Sequence, residues 1–538
     1  MIERRAGWAA AAALAMFAFA PALADSPTYT TPHLSTATGQ ALTAINGRTF
    51  SNQGLVAVGR LKADVHDFNG ETLGSFSGMA ARNWTRNADG SYSGTLLTLP
   101  DRGPNNVGGL PTTNYAARLE RLSVSLNGSG LKLTPEGGLL LRDSTGQLFT
   151  GRDPGKGSLT RDGITYPSPP KGDLGADRIS LDPEALALLP DGSFYVGDEY
   201  GPLIYYFGAD GRQLGTIAPT NDIAPKVGGQ TFFGVNDNPV APGSTGRRAN
   251  QGLEGVSVSP DGRRLFAVLQ SAPLQDNLGN QDVQRNTTRV LVYDLTKGKT
   301  PSRPMAEHVL QLPTFRAGGD GKAADKTAAQ SEILAVNARQ FLMLSRDGGG
   351  RGSGSSRPIV YKSILIVDLI GATNILGTPY ETDAEPVIAG ANATGSTLKP
   401  NIVPVQIEEV VNMLHPAQLA KFGLNLNTSP SNASTLSEKW ESMAAVRALD
   451  PEHPDDFFLL VGNDNDFRTA HLDAAGLKNA STALTDAASG TGDVDNMVLV
   501  YRVGLPAWED EAPPPPTANK KPPSKKKGGS SKHRKKRR

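Results

Sequence analysis

Four glutamates, Glu184, Glu254, Glu332 and Glu441, open four similar stretches of chain. Each is followed by a short apolar run, a polar turn, a second apolar run and a polar cluster. One copy passes through Pro190-Asp191-Gly192 to end at Asp198-Glu199, and the next passes through Pro260-Asp261-Gly262 to Gln270. The third ends at Arg346-Asp347 and the fourth at Asp464-Asn465-Asp466, while a degenerate copy runs from Ser77 to Asp101-Arg102. If such repeats stand around a common axis, their equivalent carboxylates face one another. A ring of carboxylates needs a hard cation, shared protons or arginines to offset its charge. Glu184, Glu254, Glu332 and Glu441 are therefore expected as an inner ring, with Asp101, Asp198, Glu199, Asp347, Asp464 and Asp466 around them at the strand ends. Arg102, Arg346 and Lys439 are the cations near enough in sequence to grip an anionic oxygen. The structural alternative is that the glutamates only cap backbone N–H groups between repeats and that the aspartates stabilise turns.

The elements that must position these residues read as β almost throughout. Leu55–Val58, Gly94–Leu99, Phe194–Val196, Leu265–Leu269, Val290–Tyr293, Phe341–Leu344, Ile364–Val367, Phe457–Val461 and Met497–Tyr501 are short β-branched or alternating runs bounded by turn residues. With 60 Gly and 39 Pro, long helices are excluded. The spacing of Ile407, Val410, Val411, Leu414 and Leu419 predicts one helical insertion over 404–422. Five related hairpins with long inserted loops predict an all-β chain folded as a β-propeller. Six blades are expected, within a range of five to seven, with the strands at 55–65 and 493–503 closing the sixth from both chain ends.

Several segments resemble the signatures of the phytase-like family, described as "esterase-like activity of phytase". They are Asp101-Arg-Gly-Pro-Asn105, Asp182-Pro-Glu-Ala185, Gly197-Asp-Glu-Tyr-Gly-Pro202, Gln251-Gly-Leu-Glu-Gly255, Ser331-Glu-Ile333, Glu441-Ser-Met443 and Gly462-Asn-Asp-Asn-Asp-Phe467. The resemblance spans about residues 50 to 505, in order. It implies hydrolysis of phosphate esters or related esters on a propeller-like scaffold. Together with the residues, it gives a metal-assisted hydrolase with Glu184, Glu254, Glu332, Glu441 and Asp101 as catalytic groups. Arg102, Asn105, Arg346 and Lys439 are assigned to the substrate. Glu184, Asp198, Glu199, Glu254, Asp347, Asp464 and Asp466 are assigned to a divalent cation, Ca²⁺ by its preference for oxygen ligands. A non-catalytic envelope scaffold and a metal-dependent lactonase or carboxylesterase are the alternatives.

Other hydrolase chemistries lack their residues. The chain has no Cys, no Gly-x-Ser-x-Gly elbow and no His-Glu-x-x-His helix. For a serine hydrolase acting through another triad, His66, His308, His415 and His453 are the possible bases.

The two ends read separately. Arg4 and Arg5, the apolar run Trp8 to Ala20 and Ala22-Leu23-Ala24 have the three parts of an export signal over 1–24, with an uncleaved anchor as the alternative. The Ala-rich signal suggests a bacterial protein sent to the periplasm or beyond. Residues 25–49 read as an N-terminal extension, 50–506 as the propeller, and 507–538 as a disordered Pro-rich, then Lys/Arg-rich tail. The chain holds 54 Lys and Arg against 53 Asp and Glu, a formal charge of +1. Eleven of the basic residues fall between Lys520 and Arg538 with no acid among them, leaving the body strongly acidic. That separation suits cations in the body and an anionic cell-envelope polymer at the tail, with salt-sensitive affinity, and the export signal argues against nucleic acid. No further stretch reaches the ~20 apolar residues of a membrane span.

Overall fold

Each of the nine runs read as a strand lies within one. The computed structural model describes residues 26–506 and Trp508, apart from 237–240, 278–280, 393–394, 475–476 and 481–491. The expected export signal lies outside the described residues, as does the expected tail apart from Trp508. No helix among the described residues is long and apolar enough to cross a membrane.

The strands gather into five main antiparallel sheets. Sheet one comprises Gly78–Arg86, Tyr92–Leu99, Arg118–Asn127 and Gly130–Leu140. Sheet two comprises Pro183–Leu188, Phe194–Asp198, Ile204–Phe207 and Gln213–Ile217. Sheet three comprises Leu253–Val258, Arg264–Leu269, Thr287–Asp294 and Ala306–Gln311. Sheet four comprises Ala329–Ala335, Gln340–Arg346, Lys362–Asp368 and Gln406–Asn412. Sheet five runs Lys439–Arg447, Asp456–Asp464 and Asn496–Gly504, then takes Arg48–Leu61 and Ala41–Ile45 from the other end of the chain. The opening strand of each sheet packs on the opening strand of the next, and that of sheet five packs back on that of sheet one.

Alternation along the strands explains why the sheets stack face to face. In the second strand of sheet two, Phe194 and Val196 point into a cluster shared with Leu97 and Leu119 of sheet one. Tyr195 between them points the other way, into a cluster with Leu253 and Leu265 of sheet three. Similar clusters join sheets three and four around Phe266, Val268 and Phe341, and sheets four and five around Leu344, Trp440 and Leu459. A last one joins sheets five and one around Leu460, Val498, Leu96 and Leu122. A strand buried on both faces must be apolar at successive positions, so these runs read as continuous apolar stretches.

Three sequence expectations are corrected. The strands at 55–65 and 493–503 do not form a sixth sheet: Arg48–Leu61 pairs with Asn496–Gly504, which pairs with Asp456–Asp464, so both chain ends complete the fifth. That sheet begins at Ala41, inside the segment read as an extension. Residues 404–422 are not one helix. Gln406–Asn412 is the outer strand of sheet four, and only Pro416–Lys421 is helical, with His415 capping its first turn. The register of that strand shifts between Val411 and Glu409, so Val410 is an extra residue and both valines are buried. A β-bulge thus imitates the i, i+3, i+4 spacing of a helix.

Deleting residues 26–61 strips two strands from sheet five and removes Phe50, Leu55 and Ala57 from its cores. The truncated chain is expected to lose the single cooperative thermal transition of the full protein. A variant that melts as one transition at the same temperature would contradict closure by the N-terminal strands.

Candidate active site

The acids collect at the end of the ring where each opening strand begins and its antiparallel neighbour finishes. The opening strands of sheets two, three and five shift register at Glu184, Glu254 and Glu441, each of which stands as an extra residue between paired neighbours. A bulge re-aims one side chain without moving the rest of the strand. Asp101 and Glu199 follow the second strands of sheets one and two, while Asp464 ends the second strand of sheet five. Asp101, Glu184, Glu199, Glu254, Glu441 and Asp464 are all buried.

Few cations serve them. Arg102 Nη1 binds Asp182 and Asn250, and its Nε donates to Asn105 Oδ1 at 2.9 Å, so Asn105 orients the guanidinium. Its Nη2 has no partner among the described residues. Arg346 Nη2 binds Glu441 across the junction between sheets four and five. Lys439 Nζ donates to Asp466 at 2.7 Å and to Asp464 at 3.3 Å. Gln270 Nε2 donates to Glu254 Oε1 at 2.5 Å, and Glu254 Oε2 is buried with no partner. Glu184, only 6% exposed, makes no hydrogen bond or ion pair among the described residues. One of its oxygens lies within 4.8 Å of oxygens of both Asp101 and Asp182.

Burial and crowding set the protonation. Burial, then the charges of Glu254 and Asp182, pushes Glu184 well above the usual carboxylate range. Burial and Glu441 do the same to Glu254. Burial followed by Asp182 raises Asp101 to about 7 and Glu199 to about 8. Burial also works against Glu441 and Asp466, but Lys439 with Arg346 holds the first below its ordinary value, and Lys439 with Arg468 holds the second. The cluster is thus divided: Lys439, Arg346 and Arg468 hold Glu441 and Asp466 ionised, whereas burial raises Asp101, Glu184, Glu199, Glu254 and also Asp464, despite its bond to Lys439.

Not every expected residue joins it. In sheet four the extra residue is Ser331, and Glu332 pairs opposite Leu344. Glu332 is therefore one place out of register with the other glutamates. One of its oxygens accepts from the Ile333 N–H, the other is unpartnered, and no ring acid contributes to its raised pKa. The sequence carries the signal: a small residue follows each bulged glutamate, Ala185, Gly255 and Ser442, whereas Ile333 follows Glu332. Asp347 is also displaced. It is ion-paired with Lys362 at 2.9 Å and accepts the backbone N–H groups of Gly349, Val360 and Tyr361, so its carboxylate is saturated. Asp198 accepts from the N–H groups of Asp182, Tyr200 and Gly201 and serves the turn. Asp464 and Asp466 face an ammonium group. Sequence reasoning did not single out Asp182, which stands two residues before Glu184 and is fully buried, or Glu438, which burial and Asp466 raise to about 7. The four histidines bond elsewhere: His66 with Asp473, His453 with Asp450, His308 with the Thr373 carbonyl and His415 with the Ala37 carbonyl. None is bonded to a serine hydroxyl among the described residues, so no serine triad is assembled around them.

Comparison with known proteins agrees with the resemblance. The model of the phytase-like family, "esterase-like activity of phytase", matches residues 71–467. A protein of Arthroderma benhamiae described as an uncharacterized secreted protein is 32% identical over 466 residues, covering 79% of this chain and 89% of that one. Among solved structures, a protein of unknown function from Dyadobacter fermentans is 12% identical with a TM-score of 0.31, covering 84% of this chain and 98% of the other. The Malassezia sympodialis allergen Mala s 1 is 10% identical with a TM-score of 0.26, covering 86% and 88% respectively.

Two outcomes follow from this division. Glu441→Gln leaves Arg346 buried without its carboxylate and is expected to cost about 3–5 kcal/mol in urea unfolding, whereas Glu254→Gln, which replaces a protonated acid, is expected to cost less than about 1 kcal/mol. Equal losses would contradict the assignment. The raised acids also fix a pH dependence. Their contribution is fully present below the unfolded pKa values near 4 and is lost as pH rises through the folded values, about 7 for Asp101 and about 8 for Glu199. The thermal midpoint in chelator should therefore fall between about pH 5 and pH 8, and a rising profile there would count against it.

Proposed function

The chain belongs to the phytase-like family, and from that premise we propose that it is an exported hydrolase. It cleaves phosphate esters or related esters at the acidic end of a five-bladed β-propeller and uses a divalent cation, Ca²⁺ or an ion of similar chemistry. The observation that carries the reading is the group Asp101, Asp182 and Glu184. Three carboxylates approach within 4.8 Å, and the third, buried, has no partner of its own among the described residues. All-oxygen donors at this spacing fit a hard cation. The similarity to a secreted protein of Arthroderma benhamiae and the export-like N-terminus support an exported location.

Asp101, Asp182 and Glu184 would hold the ion. When bound, it would neutralise an anionic ester oxygen and lower the pKa of a water. The protein's own groups do the rest. Asn105, Asn250 and Asp182 fix Arg102 with Nη2 left over for an ester oxygen, giving a positive group whose direction is set before substrate arrives. Glu254 keeps its proton and has one free oxygen, so it can donate to a leaving group. Arg346 holds Glu441 ionised and away from that proton.

The purified full chain, offered chromogenic phosphate monoesters and carboxylate esters in Ca²⁺ or in chelator, tests this. Phosphate release that needs the ion and drops by about 10²-fold or more in Glu184→Gln is expected. Cleavage of carboxylate esters alone would favour the lactonase reading. A folded protein inert to both would sink the hydrolase and leave a binding scaffold.

A further inference from the structure

The acids of the site fall into two groups that share a member. Asp101 with Asp182 and Glu184 is one; Asp101 with Asp464 and Asp466 is the other, and in each the carboxylate oxygens lie within 4.8 Å of one another. Adjacent cation positions bridged by one carboxylate are the arrangement of two-metal centres, whose ions stand about 3.5–4 Å apart. The two positions here differ in what they face. In the first, Glu184 is buried, unpartnered and aimed at the other two acids. In the second, the Lys439 ammonium is already seated, bonded to Asp464 and Asp466 and acting on the charge of Asp101.

We propose that Lys439 is a tethered cation: its ammonium fills the second of two adjacent cation positions, so that the site takes one exchangeable divalent ion, at Asp101, Asp182 and Glu184. The occupancy of that first position rests on the function proposed above; the role of Lys439 rests on its own contacts. A lysine ammonium is a compact point charge with three donors. Two are spent on Asp464 and Asp466, and the third has no partner among the described residues. The lysine side chain is 31% exposed, so it is not sealed within its acids. A fixed ammonium supplies a second positive charge for an ester's anionic oxygen, and unlike a second metal ion it is not lost at low ion concentration. Arg102 and Lys439 both act on the charge of the shared Asp101, Arg102 while tied to Asp182 and Lys439 while tied to Asp464. A substrate with one multiply charged head group, such as a phosphate monoester, fits three positive centres better than a neutral ester does.

The test uses Mn²⁺, which takes oxygen ligands and is visible by electron paramagnetic resonance. The full-length protein and the variants Lys439→Met and Lys439→Gln are titrated calorimetrically and their spectra recorded. The expected result is one equivalent with an isolated six-line spectrum for the native chain, and two equivalents with a spin-coupled spectrum for both variants. Equal stoichiometry in native and variant proteins would overturn the proposal. No binding to the native chain but one equivalent in the variants would sink the first cation position while upholding Lys439 as a cation substitute. If a variant is unfolded without metal, recovery of its β-sheet circular dichroism on adding Mn²⁺ supports the proposal, and failure to recover opposes it.

Discussion

The burial of more carboxylates than cations at one end of the ring is the constraint on which the rest of the molecule turns. Asp101, Asp182, Glu184, Glu199, Glu254, Glu441 and Asp464 are all buried, with Arg102, Arg346 and Lys439 as their close cations. Desolvating an unpaired carboxylate is far more costly than the few kcal/mol by which a domain is stable. The protein meets this by raising the pKa of Asp101, Glu184, Glu199, Glu254 and Asp464 and by pairing Asp182 with Arg102 and Glu441 with Arg346. The large apolar interfaces between consecutive sheets supply the stability that tolerates it.

The ring makes the convergence unavoidable. Five opening strands lie against one another, so whatever side chain each bulge turns inward meets its counterparts. Sheet four shows the rule by departing from it. With Ser331 in the bulge, no acid enters from that side, and the place is taken by Arg346 from the end of the next strand, which reaches Glu441. A carboxylate at 331 would add one more negative charge where Arg346 is already committed to Glu441.

Much of this was legible in the sequence. The strands were, because burial on both faces leaves unbroken apolar runs, and three of the four ring glutamates were, because the repeat preserves the bulge. Register was harder to read. Glu332 stands one residue nearer the turn than Glu184 and Glu254 do, and the mismatch also appears as Ile333 in a place held by small residues. The false helix over 404–422 has the same origin, an extra residue at Val410 changing a period of two into something like 3.6. Asp182 was hidden for a different reason: it lies before the strand, outside the repeat, and its role depends on Arg102 arriving from another sheet.

Buried acids alone do not mark a site in this protein, as two other networks show. Arg118 is fully buried between Asp67 and Glu71, and Arg289 between Asp222 and Asp276. In each an arginine sits at the centre of its acids, and neither guanidinium is exposed. Such a group is closed: it ties loops to a sheet and offers nothing to a solute. At the acidic end of the ring the cations stand to the side. Arg102 and Lys439 remain partly exposed, each keeps a donor in reserve, and Glu184 has no partner among the described residues. An arrangement selected only for stability would place an arginine where Glu184 waits. Its absence, with the neighbouring cations held back by Asp182 and Asp464, is what separates a place built to receive charge from one built to bury it.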